Sequence, residues 1–97
     1  MSDREYTAVR HILSSPAIAG RSLPYVGNDD FDWSGLLAEA ELMSSGERTL
    51  VLVAHDLWDA GETVAVAELP RRLDGRNLER VLDALRIFHG APLREAA

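Results

Sequence analysis

The sequence predicts an all-α fold: a compact single domain of about four helices, with two short helical segments split by a tight turn in its C-terminal half. Three observations carry that prediction. Apolar residues recur at three- and four-residue spacings in four separate segments, the period that gathers them on one side of a helix. Ser, Asp, Gly and Pro stand at the boundaries of those segments, where they cap or stop helices. The alternation of half-buried strands is missing, apart from a short extended segment near 63–66. A chain of 97 residues holds one core, so residues 1–97 are read as a single domain with 91–97 as a frayed tail.

The first helix is expected over about 3–14. Ser2 and Glu5 have capping-box spacing, in which the hydroxyl accepts an amide hydrogen bond while the carboxylate reaches back. Tyr6, Val9, Ile12 and Leu13 then share a face, and Pro16 closes the segment. Residues 16–27 contain Pro16, Gly20, Pro24 and Gly27 without sustained period, and read as an irregular connection pinned to the core by Ile18, Leu23, Tyr25 and Val26. A second helix fits 33–43, where Trp33, Leu36, Leu37, Ala40 and Met43 repeat at helical spacing behind Asp30 or Asp32 as cap.

Ser44 and Glu47 repeat the capping-box spacing and open a third helix that ends at Gly61. Its run "TLVLVA" also fits a buried strand, but length, cap and terminal glycine favour the helix. Leu50, Val51, Val53, Ala54, Leu57 and Trp58 cover so much of its circumference that it is expected to be the central helix, with the last helix packed against it. Pro70 limits "AELPRRL" to one or two turns. The last helix carries the stripe Leu78, Val81, Leu82, Leu85 and Phe88, with Asp74 as cap and Gly90 and Pro92 as stop.

Composition excludes several classes. At 46% hydrophobic and 27% charged residues the chain lies in the folding regime, not the disordered one. It has no cysteine, hence no disulfide framework and no thiolate nucleophile. Its start lacks the basic-then-apolar pattern of a secretory leader and no apolar run reaches membrane-spanning length, so a cytoplasmic location and no membrane partner are expected. The net charge of −6 is unevenly placed. Residues 28–68 hold ten carboxylates against Arg48 alone, whereas residues 71–94 hold six arginines against Asp74, Glu79 and Asp83.

Four constellations have chemical meaning. In "AVAELPRRLDGRNLERVLDALRIFHG", residues 65–90, two apolar-periodic segments flank an Asp-Gly turn, and Arg71, Arg72, Arg76, Asn77 and Arg80 are available to phosphates and base edges. The stretch resembles a helix-turn-helix, which implies DNA binding, although phosphate neutralisation asks for more positive charge than this window supplies. In "DFDWSGLLAEAE", residues 30–41, Asp30, Asp32, Ser34, Gly35 and Glu41 fall at positions 1, 3, 5, 6 and 12 of a calcium loop. The stretch resembles an EF-hand over the loop only, because "SLPYVGND" is a poor entering helix; capping by Asp30 and Asp32 is the simpler account.

His55 and Asp59 share a helical face and resemble two of the ligands a metal needs, but no third follows by spacing, so no metal or cofactor is expected. Nucleophile elbows, phosphate loops and dinucleotide fingerprints are also missing, and no catalytic function is expected. Lastly, Tyr25, Phe31, Trp33 and Trp58 interleave with Asp29, Asp30, Asp32, Asp56 and Asp59. Aromatic anchors rimmed by charge suit a protein interface. The expected role is therefore a non-enzymatic interaction or regulatory module. It binds another protein with a basic surface, or a second copy of itself, through residues near 25–33 and 56–62, with nucleic acid as the alternative partner.

Overall fold

A computed structural model describes residues 3–90, so the Ser2 cap and the 91–97 tail lie outside the described residues. The chain folds as a compact all-α domain of six helices, with no strand among the described residues. These are α1 (Asp3–Leu13), α2 (Ala19–Ser22), α3 (Trp33–Ala40), α4 (Ser45–Asp59), α5 (Glu68–Arg72) and α6 (Gly75–His89), with a 3₁₀ turn at Leu23–Tyr25. Three of the predicted caps are in place. Asp32 accepts from the Gly35 amide, Asp74 accepts from the Asn77 amide, and Ser44 with Glu47 forms the complete capping box.

The ambiguous run 49–54 is helical within α4. Helix α3 stops before the predicted boundary because residues 41–43 tighten, with Leu42 and Met43 donating to the Glu39 and Ala40 carbonyls three residues back. The connection at 16–27 is more regular than expected. It contains α2 and the 3₁₀ turn, fixed by a buried hydrogen bond from the Ser22 hydroxyl to the Leu13 carbonyl.

The larger correction concerns the centre of the domain. Helix α1 lies between α4 and α6 and makes the main packing contacts with both, while α4 and α6 meet only marginally. Ala8, Val9, Ile12 and Leu13 of α1 are all fully buried. The α6 positions that are fully buried are Val81 and Ala84, small residues that allow a close approach. Arg80 secures that approach by donating from Nε to the His11 carbonyl at 2.8 Å. Leu78 and Phe88 of the predicted stripe pack half-buried against the core, Leu82 is half-buried, and Leu85 remains 40% exposed.

Residues 63–66 are the second correction, because they are not extended. The Asp56 carboxylate of α4 accepts from the amides of Thr63 at 3.1 Å and Val64 at 2.8 Å, which bends the chain back on the helix end. The Glu68 and Leu69 amides then bond to the Ala65 and Val66 carbonyls and turn it into α5.

Candidate protein-binding surface

Two acidic segments distant in sequence are joined by an aromatic cluster. The Phe31 ring stacks on Tyr6 at a centroid distance of 5.1 Å, meets Trp33 at 5.3 Å and Trp58 edge-on at 4.9 Å, while Trp33 lies 4.7 Å from the His55 ring. Offset and edge-to-face contacts of this kind add to the burial of the rings. Residues 31–33 are thereby held against the C-terminal half of α4. The turn that precedes them is closed by a bridge between Val26 and Phe31, by the Gly27 amide bonding to the Asp30 carbonyl, and by the Tyr6 hydroxyl donating to the Gly27 carbonyl.

That arrangement divides the residues expected at the interface. Phe31 is only 8% exposed and belongs to the core, so it is no surface anchor. Trp33 and Trp58 are half-buried in the same cluster. Tyr25 is half-buried as well, and its ring lies where a Cβ on Gly35 would stand. The glycine of the supposed calcium loop therefore serves aromatic packing inside α3. Since residues 33–40 are helical, the 30–41 stretch is no loop that wraps a cation, and among the described residues no group of three or more His, Asp or Glu is placed to hold a metal.

The carboxylates separate in a similar way. Asp32 caps α3 and Asp56 holds the 63–64 bend, so both have structural duties. Asp29 and Asp30 are exposed on the turn. Asp59 is exposed at the end of α4, with Oδ2 3.5 Å from the His55 Nε2, and Glu62 follows it in the exposed connection. No basic residue occupies the last turn of α4, where the unpaired carbonyls already concentrate negative potential.

Beside this acidic end runs a groove of about 200 Å³, lined by Val53, Asp56, Leu57, Gly61, Val64, Val66 and Leu69. Val66 is 81% exposed at its rim. Sequence reasoning missed the groove because its far wall depends on the bend that Asp56 imposes. The available signal was the pair of valines, Val64 and Val66, on a segment too short to bury both.

The basic residues of the helix-turn-helix resemblance are largely engaged within the domain. Glu68 accepts from both Arg71 at 3.2 Å and Arg72 at 2.9 Å, and these bonds, Arg72 first, hold its carboxyl below the ordinary range. Arg72 also bonds the Ser45 hydroxyl, across a 230 Å³ cavity between α4 and α5 that Arg48, Thr49 and Thr63 help to line. Arg80 is committed to α1, and Arg86 pairs with Asp83 at 3.0 Å. Arg76 is exposed and Asn77 half-buried. Helix α5 itself has only five residues. No helix among the described residues is long and apolar enough to cross a membrane. No family model matches the chain, and comparison with curated proteins and with solved structures finds no match either.

Proposed function

We propose that this protein is a non-enzymatic interaction module whose acidic end, at the C-terminus of α4 and the adjoining 29–32 turn, receives a basic segment of another protein. One observation carries the reading: Asp56 and Asp59 occupy the last turn of a fifteen-residue helix that has no cation there. A helix end of this kind repels its own side chains and attracts a cationic partner. Exposed Asp29 and Asp30 extend the same field, because Phe31 and Trp58 hold their turn against α4. An acidic rim would speed and select encounter with a positively charged surface.

The helix-turn-helix reading asks Arg71, Arg72, Arg76 and Arg80 to face a duplex together. The pairing of Arg71 and Arg72 to Glu68 and of Arg80 to the His11 carbonyl makes it the weaker reading. An amide-shift titration with an arginine-rich peptide, run beside one with duplex DNA, separates the two. The peptide is expected to shift residues 29–32 and 59–62, to bind more weakly as salt rises, and to lose about tenfold in affinity when Asp29, Asp30 and Asp59 are reversed to Arg. Shifts confined to residues 71–80 on adding DNA, abolished by Arg76→Glu, would instead make it a nucleic-acid binder.

A further inference from the structure

The groove beside the acidic end specifies more than charge. We infer that its occupant is an apolar side chain of the same basic partner segment, a Leu or Phe set between arginines or lysines, seated among Val53, Leu57, Val64, Val66 and Leu69; the inference rests on the acidic-end reading above.

Size, lining and charge each narrow the occupant. At about 200 Å³ the groove is smaller than the roughly 300–1,000 Å³ of most small-molecule sites and suits one or two side chains. Its walls are aliphatic apart from Asp56, and both oxygens of that carboxylate are already engaged by the Thr63 and Val64 amides. The groove therefore offers mainly burial, with each oxygen of its one carboxylate already accepting one backbone amide. Val66 at the rim is 81% exposed, apolar surface that a bound side chain would remove from water.

Charge selects among proteins. Asp56 lines the groove, Asp59 stands on the same helix end and exposed Glu62 follows the lining Gly61 in the chain, so basic residues flanking the apolar anchor meet complementary potential. A second copy of this chain fits less well. Its net charge of −6 opposes association, and two arginines of its α6, Arg80 and Arg86, are engaged internally. The groove is also well fixed in place. The Asp56 bonds hold its outer wall, and Val53 on α4 belongs to the core.

The test uses the whole chain and three peptides, titrated while amide shifts are followed: leucines between arginine clusters, the same peptide with serine for leucine, and the leucine peptide with glutamate for arginine. The first is expected to shift Gly61, Val64, Val66 and Leu69, and to bind about tenfold more tightly than the serine peptide. Val66→Asn, at an exposed position that spares the fold, should remove that advantage. Equal, salt-sensitive binding of the leucine and serine peptides would overturn the groove inference and leave the acidic-end reading standing. No binding by either arginine peptide would overturn both. Binding of the glutamate peptide in the groove would overturn the charge complementarity. Leucine-dependent binding that shifts Leu82 and Leu85 but not the groove would overturn the location.

Discussion

Helices α4 and α6 are both fifteen residues long and begin alike, yet they end in opposite ways. Helix α6 finishes with Arg86 and His89 in its last turn and Gly90 at a φ of 94°. Cations meet the negative end of the helix, and glycine takes the left-handed conformation without steric penalty. Helix α4 finishes with Asp56 and Asp59 in its last turn and Ala60 at a φ of 54°. Helix α1 follows the first pattern, with Arg10 and His11 in its last turn. Asp56 is compensated there by the Thr63 and Val64 amides, so the end of α4 departs from what stability favours in the charge of Asp59 and in the backbone of Ala60. Such local departures cluster where a protein binds or works.

The backbone half of this comparison gives the largest expected effects. Gly90→Ala should lower stability by about 1–2 kcal/mol, since it places a Cβ in the left-handed region and against the Arg4 guanidinium. Ala60→Gly should do the reverse and raise stability by about 0.5–1 kcal/mol, the gain being reduced by the freer unfolded chain. Both are read from denaturant midpoints at constant slope. A loss of stability in Ala60→Gly would show that this helix end is unstrained.

Acid should sharpen the contrast between helix ends in a defined order. Burial first, then the Arg80 cation, hold the His11 imidazole below its ordinary value of 6.5, with Asp83 opposing them. A histidine depressed by folding contributes stability above pH 6.5, and that contribution is lost as pH falls through its folded value. Glu47 is depressed by its bonds to the Ser44 amide and hydroxyl, and Glu68 by Arg72 and Arg71; both contribute above 4.5 and lose that contribution as pH falls further. Melting temperature should therefore decline in two stages on acidification. His11→Gln should remove the first stage and leave the second.

Much of the fold is legible in local chemistry. Asp32, Ser44 and Asp74 cap their helices as their spacing predicts, because a cap is decided within four residues. The four residues of α2 are too few to display a period. The order of packing was hidden for another reason: the stripe Leu78, Val81, Leu82, Leu85 and Phe88 leaves out Ala84, whose small side chain beside Val81 lets α1 approach, while Leu85 stays exposed. At the site, the acidic residues are plain in the sequence. Their meeting across the Phe31–Trp58 contact is a long-range event, and it turns Phe31 from an expected anchor into core. The groove depends on two amide bonds to Asp56, which no local pattern announces.

The charge half of the comparison has the smallest effect on stability and the most direct bearing on function. Asp59→Arg places a cation at the carbonyl end of α4 and should raise stability by about 0.3–1 kcal/mol at low salt, an increment that fades as salt is added. The decisive measurement takes this variant through thermal unfolding and through titration with the arginine–leucine peptide in the same buffer. If the end of α4 is kept acidic to receive a cationic partner, the variant melts higher and binds more weakly. A variant that melts lower, or that binds the peptide as tightly as the unaltered chain, would contradict the account.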